Sequence, residues 1–453
     1  ATPVNRIDKI ATHASTLRAR IDSGEARIGV IGLGYVGLPL ARLFANAGFA
    51  TIGFDVDPAK VDDLNAGRSY IRHLPSAEIA DIVNSGRFSA TADFSQAGGC
   101  DALIICVPTP LTRHREPDLS FVENTAETLL PSLRAAQLVV LESTSYPGTT
   151  DGVLRPILER AGLAIGHELF VAYSPEREDP GNRSFTTDTI PKVVGADDAE
   201  SRALALALYD RIVGQTVPVS STRAAEAVKI TENVFRSVNI ALVNELKVIF
   251  EAMDIDVWEV IDAAKTKPFG FMPFYPGPGL GGHCIPIDPF YLTWRAREHE
   301  IPTRFIELAG EINTAMPDYV VDRLVRALSD RLGKAARGAC ILLFGIAYKK
   351  DVDDMRESPA LKLIEKLEAL GATVDYHDPY VPQIPPTRAY PDLTGRRSIA
   401  WEPVAFADYD AALIVADHSD IDYAALVASF ALVVDTRNAT RAVVENRERI
   451  IRA

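Results

Sequence analysis

The sequence predicts an α/β fold with two doubly wound, parallel-sheet domains joined by a long central helix. Short apolar runs, such as 101–107, recur in both parts of the chain and are typical of strands buried on both faces. The stretch 222–253 contains no glycine or proline and predicts one long helix. A strand, a glycine, a helix and a second strand ending in aspartate follow one another near residue 27 and again near residue 340. This repetition predicts two Rossmann-like domains.

The composition excludes several classes of protein. The chain has 453 residues, 47% of them hydrophobic, which predicts a globular protein of two or three domains. Its formal net charge of −14 argues against nonspecific binding to nucleic acid. Residues 1–26 suit a short amphipathic helix rather than a signal peptide, and no apolar stretch approaches the ~18 residues of a membrane-spanning helix. We therefore expect a cytoplasmic protein with neither nucleic acid nor membrane as a partner.

The first domain begins with a glycine motif that is typical of dinucleotide binding. Strand 27–31 leads into Gly32-Leu33-Gly34-Tyr35-Val36-Gly37, and residues 38–47 predict a helix. Glycines at this spacing permit a tight turn and the close approach of a pyrophosphate, which the helix N-terminus attracts. The next strand ends in Asp55, which is placed to accept hydrogen bonds from a ribose and to repel a 2′-phosphate. We therefore predict NAD rather than NADP, although Lys60 lies near Asp55; a doubly wound domain without a nucleotide is the alternative.

Further strands bring polar residues to one edge of this sheet. The predicted strands 101–107, 138–141 and 170–172 are followed by Thr109, Thr144 and Glu176, respectively. Ligands of open α/β sheets bind outside the carboxyl ends of the strands, so all three residues are candidates for a site. Each of them, taken alone, is better explained as an ordinary solvated loop residue.

The long helix carries a polar stripe. Lys229, Asn233 and Arg236 fall at positions i, i+4 and i+7 and therefore share a face. Such a stripe is usually solvated, but a helix between two α/β domains can also line a cleft, and both interpretations stay open. The following stretch, 267–280, is rich in proline, glycine and aromatic residues, which excludes a helix or a central strand. Its aromatic residues suit either the wall of a pocket or a contact between subunits.

Cys284 lies in a glycine-rich bend, Gly281-Gly282-His283-Cys284-Ile285-Pro286-Ile287-Asp288-Pro289. Four cysteines in so long a chain do not indicate a disulfide framework, and Cys106 and Cys340 fall inside apolar runs. A thiolate in a bend where the backbone can approach a ligand is a candidate nucleophile. The bend alone is equally compatible with a small residue in a tight turn, and His283 is better explained as a loop residue. No second histidine or cysteine lies at ligand spacing, so we predict no metal site.

The last domain repeats the strand–helix–strand order without the phosphate-binding glycines. Strand 340–345 ends in glycine, Ser358 caps the start of a helix, and the next strand precedes Asp378. We read this domain as a second, degenerate Rossmann-like half. Lys349 and Arg437 follow strands of this half and are candidate partners of a second phosphate group.

Several separated motifs resemble, in order, those of nucleotide-sugar 6-dehydrogenases, the group that contains UDP-glucose, UDP-N-acetylglucosamine and UDP-N-acetylmannosamine dehydrogenases. These motifs are GLGYVGLP, CVPTP, EST, SPER, KITENVFR, PGPGLGGHCIPIDP, GIAYKKDVDDMRESP and DTRN. The resemblance runs from about Arg27 to the C-terminus. It implies an NAD-binding domain at 1–216, a central segment with the cysteine loop and a dimer-forming helix at 217–317, and a UDP-sugar-binding domain at 318–453.

The resemblance also implies a two-step, four-electron oxidation that uses two NAD. The C6 alcohol of the sugar would become an aldehyde, Cys284 would capture it as a thiohemiacetal, and a thioester would then be hydrolysed to the uronate. UDP-glucose enzymes typically carry a lysine directly before the carboxylate that corresponds to Asp288, where this chain has Ile287. This departure and the stretch KPFGFMPFYPGPG resemble the N-acetylhexosamine branch, and most of all UDP-N-acetylglucosamine enzymes. The expected role is the supply of a uronic acid for surface polysaccharide.

Individual roles also follow from the resemblance. Lys229 would stabilise oxyanions or handle a proton, and Asn233 and Asp288 would hold the catalytic water. Glu176 would assist hydrolysis, and Thr144 would contact the reacting group. NAD would contact Gly32, Gly34, Tyr35, Val36, Gly37, Asp55, Lys60, Thr109, Thr144 and Arg356. The UDP-sugar would contact Arg177, Lys229, Asn233, Arg236, Tyr275, Lys349 and Arg437.

Two rival functions use the same features differently. A single-step hydroxyacid dehydrogenase would use one NAD per turnover and would leave Cys284 a structural residue. An NAD-sensing protein would bind NAD and turn over no UDP-sugar. The dimer-forming helix implied by the resemblance predicts a homodimer or a larger homo-oligomer.

Overall fold

The computed structural model describes residues 6–71, 74–112, 116–177, 186–282, 285–387 and 389–453. The chain forms two compact units. The first unit contains the described residues up to Glu232 and the segment Trp294–Ile301. The second unit contains the described residues of Asn233–Thr293 and of Pro302–Ala453.

Among its described residues, the first unit is built on an eight-stranded sheet. The strands are β1 (Arg27–Ile31), β2 (Ala50–Phe54), β3 (Phe88–Thr91), β4 (Ala102–Ile105), β5 (Gln137–Leu141), β6 (Leu169–Tyr173), β7 (Lys192–Gly195) and β8 (Thr216–Val219). They lie in the order β3-β2-β1-β4-β5-β6-β7-β8, and every neighbouring pair is parallel except β6 with β7. The strand order reverses between β1 and β4, and open sheets bind ligands at such a point.

Helices cover both faces of this sheet. They are α1 (Arg6–Ser23), α2 (Gly37–Asn46), α3 (Pro58–Asn65), α4 (Ser76–Asn84), α5 (Ser120–Leu129), α6 (Arg155–Glu159) and α7 (Ala199–Tyr209), with 3-10 turns at Phe94–Gly99 and Leu130–Ser132 and a π-helical turn at Thr150–Leu154. Successive side chains of a strand point to opposite faces. Val30 of β1 therefore joins one apolar core and Ile31 joins the other.

The central helix is α8 (Thr222–Ala252), which confirms the helix predicted for 222–253. Asp254 follows it with a φ of 58° and turns the chain away from the helix. The predicted irregular stretch 267–280 contains neither helix nor strand. Among the described residues, no helix is long and apolar enough to cross a membrane.

The second unit contains a five-stranded sheet among its described residues. Its strands are β9 (Cys340–Phe344), β10 (Thr373–His377), β11 (Ala411–Ile414), β12 (Val433–Asp435) and β13 (Ile450–Arg452). They lie in the order β10-β9-β11-β12-β13 and are all parallel. The remaining helices of the chain are α9 (Val257–Ala264), α10 (Asp288–Glu298), α11 (Arg304–Leu332), α12 (Pro359–Ala369) and α13 (Tyr423–Ser429), with 3-10 turns at Pro391–Leu393, Ala405–Asp408 and Arg447–Arg449.

The predicted fold class is confirmed, since both units are doubly wound around mainly parallel sheets. The predicted helix start is confirmed as well: the Ser358 hydroxyl accepts a hydrogen bond from the Ala360 amide, and Pro359 is the first residue of α12. One strand was predicted too long. Only Ala102–Ile105 pairs within 101–107, because the chain leaves the sheet at Cys106 to form a loop at the strand end.

Candidate active site

The glycine turn after β1 packs closely at two of its glycines and is open at the third. Gly32 has a φ of 90°, and a β-carbon there would lie 2.6 Å from the Cys106 carbonyl oxygen, so only glycine fits. A β-carbon on Gly37 would overlap the Gly32 carbonyl. Gly34 differs, since no described atom outside its chain neighbours lies within 4 Å of a β-carbon built on it. The turn therefore leaves space beside Gly34 and the start of α2, which carries no acidic residue in its first turn.

Asp55 closes this turn at the end of β2. Its carboxylate accepts hydrogen bonds from the backbone amides of Leu33, at 3.0 Å, and Asp57, at 3.0 Å. The Lys60 ammonium lies 3.6 Å from the same carboxylate. The Tyr70 hydroxyl donates to the Leu33 carbonyl, and burial, followed by nearby aspartates, raises the pKa of Tyr70. Asp55 and Lys60 thus lie together where an adenosine ribose is expected, and Tyr70 is a neighbour that the sequence did not reveal.

The loops after β4 and β5 are bound to each other. The Ser143 hydroxyl donates to the Val107 carbonyl at 2.7 Å. Thr109 is buried in the first loop, and Thr144 is half-buried in the second. The two predicted threonines therefore belong to adjoining loops at the carboxyl edge of the first unit's sheet.

A buried lysine and a glutamate meet at the same edge. The Lys229 ammonium lies 3.9 Å from the Glu176 carboxylate, and both side chains are largely shielded from solvent. Glu176 and Arg177 also line a small cavity beside β7. A lysine held near a carboxylate in a partly dry setting can stabilise an oxyanion or exchange a proton.

Arg177 lies against α8. It donates from Nη2 to Glu232 at 2.7 Å and from Nη1 to the Pro191 carbonyl at 2.6 Å. These hydrogen bonds engage Nη1 and Nη2 of Arg177 with partners in the first unit. Sequence reasoning assigned Arg177 to substrate and gave no sign of its partner Glu232.

Glu226 is a buried carboxylate that sequence reasoning missed. It accepts hydrogen bonds from the Gly148 amide at 2.6 Å, the Thr150 amide at 2.8 Å and the Thr150 hydroxyl at 2.6 Å. It lies three residues before Lys229 on α8, and its partners follow Thr144 in the loop after β5. Burial raises the pKa of Glu226 to about 7 despite these donors. Glu226 therefore connects the start of α8 to that loop.

In the second unit, two predicted site residues contact each other. The Asn233 side-chain amide donates to the Asp288 carboxylate, and both side chains are buried. Asp288 is the first residue of α10. This pair presents amide and carboxylate groups of the kind that can orient a water molecule.

Cys284 and His283 lie outside the described residues, but the glycines before them are placed. The Gly282 amide donates to the Arg356 carbonyl at 2.9 Å, and Gly282 has a φ of 85°. A β-carbon on Gly281 would lie 2.6 Å from the β-carbon of Tyr348. The glycines therefore let the loop pack closely against the segment that follows β9.

The other predicted residues of the second unit are distributed over several elements. The Arg356 guanidinium binds the Asp354 carboxylate, with distances from 2.6 to 3.0 Å. Tyr275 is exposed, stacks on Trp258 with ring centroids 5.4 Å apart, and donates to Asp262. Arg236 is exposed on α8 and Lys349 is half-buried after β9. Within this unit the predicted residues therefore do not all converge on one point.

Arg437 is held at the end of β12. Its Nε donates to the Val415 carbonyl at 3.0 Å. A β-carbon on Gly277 would overlap its guanidinium, so the irregular stretch packs directly on this cation. Burial lowers the pKa of Arg437, and Asp417 and Asp435 oppose that effect.

His418 is another group that the sequence did not reveal. Its Nδ1 accepts a hydrogen bond from the Asp351 amide at 3.0 Å, so its Nε2 carries the proton toward Asp378, 3.0 Å away. Asp378 also accepts from the amides of Ile346 and Ala347. The sequence showed that Asp378 follows a strand, but it did not show that His418 is the buried partner of Asp378.

The glycine turn, the acidic residue after β2 and the lysine–glutamate pair define a dinucleotide-dependent oxidoreductase. The chain belongs to the UDP-glucose/GDP-mannose dehydrogenase family. The family's NAD binding domain matches residues 26–213, its central domain matches 223–315, and its UDP binding domain matches 342–442. The protein is therefore an NAD-dependent UDP-sugar dehydrogenase, which confirms the predicted enzyme class and cofactor.

Similar proteins include enzymes with different sugars in their names. The chain is 36% identical to a UDP-N-acetyl-D-glucosamine 6-dehydrogenase of Pseudomonas aeruginosa, over 79% of this chain and 83% of that protein. It is 35% identical to a UDP-N-acetyl-D-mannosamine dehydrogenase of Methanocaldococcus jannaschii, over 78% and 79% of the two chains. The structure of a UDP-D-ManNAc dehydrogenase of Pyrococcus horikoshii superposes with a TM-score of 0.84 at 32% identity, covering 94% of this chain and 98% of that one.

Two glycine substitutions in the turn should affect different properties, NAD affinity in one variant and thermal stability in the other. We expect Gly34→Ala to fold with a thermal midpoint close to that of the native chain but to weaken NAD binding about tenfold or more, because its methyl group enters the space for the pyrophosphate. Gly32→Ala should instead lower the thermal midpoint, because its β-carbon meets the Cys106 carbonyl at 2.6 Å. Calorimetric NAD titration and thermal unfolding of both variants test this. Unchanged NAD affinity in Gly34→Ala contradicts the assignment of that space.

Glu226 should make stability depend on pH. Its folded-state pKa of about 7 lies above the model-peptide value of 4.5, so its contribution is complete below pH 4.5 and is lost as pH rises through 7. The loss is on the order of 3 kcal/mol. We expect Glu226→Gln to flatten the dependence of the thermal midpoint on pH between 4.5 and 7. Glu159→Gln, at an exposed ion pair on α6, serves as the control; equal slopes in all three proteins contradict the prediction.

Proposed function

We propose that the chain oxidises the C6 alcohol of UDP-N-acetylglucosamine to the uronate in two NAD-dependent steps. The observation that carries the oxidation chemistry is the Lys229–Glu176 pair at the carboxyl edge of the NAD-binding unit. The choice of sugar is supported by Ile287, by the stretch KPFGFMPFYPGPG and by the Pseudomonas relative. UDP-N-acetylmannosamine is the second candidate, because relatives named for that sugar match with similar identity.

The three parts of the chain divide the work in this proposal. Residues 1–216 bind NAD, with Gly34 facing the pyrophosphate and Asp55 facing the adenosine ribose. Residues 217–317 supply α8 and the cysteine loop. Residues 318–453 bind the UDP-sugar, with Lys349 and Arg437 on its phosphates. When bound, NAD supplies the oxidising power by accepting a hydride at each of the two oxidations.

The side chains of this protein transfer protons, orient the reacting oxygen and provide the nucleophile. Lys229 takes up or stabilises charge on the C6 oxygen as the alcohol becomes an aldehyde, and Thr144 orients that oxygen. The Cys284 thiolate then adds to the aldehyde carbon, and the thiohemiacetal is oxidised to a thioester. Holding the aldehyde covalently prevents its release between the two oxidations.

Hydrolysis completes the reaction. Asn233 and Asp288, which contact each other, orient the water that attacks the thioester carbon. Glu176 accepts a proton from that water. The carbon–sulfur bond breaks, the thiolate of Cys284 is restored, and the C6 carboxylate is released.

The enzyme is proposed to work as a homodimer that uses α8. Phe235, Leu242 and Ile249 repeat every seven residues on this helix, and all three are exposed. Met253 extends the same row by one turn and is also exposed. An exposed apolar row of this length is typical of a contact between proteins. A second copy of the same helix is the simplest occupant.

The mechanism predicts two NADH per uronate. We expect the native enzyme to release two NADH for each UDP-N-acetylglucosamine consumed, and less product with UDP-N-acetylmannosamine or UDP-glucose run in parallel. Cys284→Ser should stall after the first oxidation, because a hydroxyl is a much weaker nucleophile near neutral pH. NADH absorbance combined with product analysis by mass spectrometry measures both.

Four outcomes separate the alternatives. Two NADH on another UDP-sugar would retain the mechanism and change the substrate. One NADH per turnover would favour the single-step dehydrogenase, and uronate formation by Cys284→Ser at the native rate would remove the covalent step. A protein that binds NAD and oxidises none of the three sugars would contradict the proposed substrates.

The dimer proposal predicts that a charge in the apolar row separates the subunits. Leu242→Asp should elute at the monomer mass in light scattering at micromolar concentration, because it buries an unpaired carboxylate in the interface. Val404→Asp is the matched control, since Val404 is 92% exposed elsewhere in the second unit. A dimer mass for Leu242→Asp, or a monomer mass for the native chain, contradicts the proposal.

A further inference from the structure

Lys247 is a buried cation on α8 that the proposed mechanism does not use. Its side chain is 5% exposed, and its ammonium has no hydrogen-bond partner among the described residues. It lies over the ring of Tyr319, 5.4 Å from the centroid. Buried lysines are normally paired, because an isolated buried charge is costly. The charged form of this ammonium therefore requires a counterion, and no described residue provides one within hydrogen-bond distance.

The carboxylates near Lys247 are engaged by other groups. Glu251 pairs with Arg323, and Asp256 pairs with Arg452. Both carboxylates line, with Lys247, a cavity of about 160 Å³. The titratable and charged groups around Lys247 on the neighbouring elements are Glu251, Asp254, Asp256, Tyr319, Arg323, Asp435, Arg437 and Arg452. These groups include four carboxylates and three arginines, but none of the carboxylates accepts a hydrogen bond from the Lys247 ammonium.

A second cation, the half-buried Arg437, acts electrostatically on Lys247. Burial first, and the charge of Arg437 second, lower the pKa of Lys247 to about 7. Asp435 does not pair with either side chain in the described structure: it accepts hydrogen bonds from the Arg437, Ala439 and Thr440 amides and from the Thr440 hydroxyl. Two like charges in a partly buried setting repel each other, and an anion between them would offset that repulsion.

The same face of α8 reaches the loop that packs on Arg437. The Asn244 side-chain oxygen accepts a hydrogen bond from the Gly277 amide at 3.0 Å. Gly277 in turn lies directly against the Arg437 guanidinium. Lys247 follows Asn244 by three residues and therefore shares its face. Helix, loop and β12 thus gather two cations at the carboxyl edge of the second unit's sheet.

We propose that Lys247 and Arg437 together bind a phosphate of the substrate's uridine diphosphate. This proposal rests on the UDP-sugar function proposed above and adds a residue to it. Arg437 lies within the region that matches the UDP binding domain, whereas Lys247 lies in the region that matches the central domain. A phosphate between them neutralises both cations and gives Lys247 the acceptor that it lacks.

Binding of a phosphate at Lys247 should be accompanied by the uptake of a proton. Without an anion, Lys247 is largely deprotonated at pH 8, because its pKa of about 7 is lower than 8. A bound phosphate favours the ammonium form, so binding should raise this pKa and take up a proton. UDP itself is fully ionised at pH 8 and contributes no proton. Affinity should therefore fall as pH rises from 7 to 9.

The test is calorimetric titration of the full chain with UDP at pH 8 in two buffers of different ionisation enthalpy. The native chain should take up close to one proton per UDP bound. Lys247→Met should bind UDP about ten- to a hundredfold more weakly and take up no proton, since one charge-assisted hydrogen bond is lost. Lys362→Met, at an exposed ion pair on α12, should behave like the native chain.

Folding is monitored independently. Lys247→Met should have a thermal midpoint equal to or above the native value, because an apolar side chain replaces a buried amine that has no hydrogen-bond partner among the described residues. Its affinity for NAD should be unchanged. If the variant fails to fold, the proton count of the native chain alone decides: no proton uptake at pH 8 overturns the proposal.

Titrations with uridine and with inorganic pyrophosphate distinguish a contact of Lys247 with a phosphate from a contact with the base. Weaker binding of pyrophosphate to Lys247→Met, with uridine unaffected, supports the proposal. A loss confined to uridine overturns it in favour of a contact with the base. Proton-linked UDP binding by a native chain that oxidises no UDP-sugar would support this site while the proposed function failed.

Discussion

A buried carboxylate at the end of the second strand fixes the loop after the first strand in both halves of the protein. Asp55 accepts from the Leu33 amide, and Asp378 accepts from the amides of Ile346 and Ala347. Each aspartate orients backbone N–H groups at the point where its sheet changes direction, and that point is where such sheets bind ligands. The position of the NAD turn and of the Lys349 loop both depend on this one contact.

The two halves use the contact differently. In the first half, the opposing turn contains Gly34, which leaves space for a pyrophosphate, and Lys60 approaches Asp55 only to 3.6 Å. In the second half, His418 donates to Asp378. The cations of the second half, such as Arg437, come from the ends of other strands. The strand-end aspartate therefore has different side-chain partners in the two halves.

The sequence predicted what depends on short-range pattern. Apolar runs located the central strands, and the glycine spacing and Asp55 located the cofactor turn. Partners that lie far apart in sequence were not predictable. Glu226 accepts a hydrogen bond from Thr150, 76 residues earlier in the chain, and His418 contacts Asp378, 40 residues earlier. Partners this far apart in sequence leave no periodic pattern from which either contact could be predicted. The same is true of Arg177. An arginine predicts an anionic partner, but the sequence did not show that Glu232 is such a partner.

Burial does not by itself decide the charge of these interior groups. Burial alone raises the pKa of Asp378, but hydrogen bonds from His418 and from backbone amides outweigh it, and its pKa lies below the usual value. Glu226 also accepts three hydrogen bonds, yet burial prevails there and its pKa is raised. The two carboxylates differ in their number of donors. Glu226 accepts three hydrogen bonds, whereas Asp378 accepts five, from His418 and from the amides of Ile346, Ala347, Tyr380 and Val381. Lys247 is the complementary case, because burial and the charge of Arg437 both lower its pKa. The same physical balance therefore favours the charged form of a carboxylate in one place and disfavours the charged form of a lysine in another.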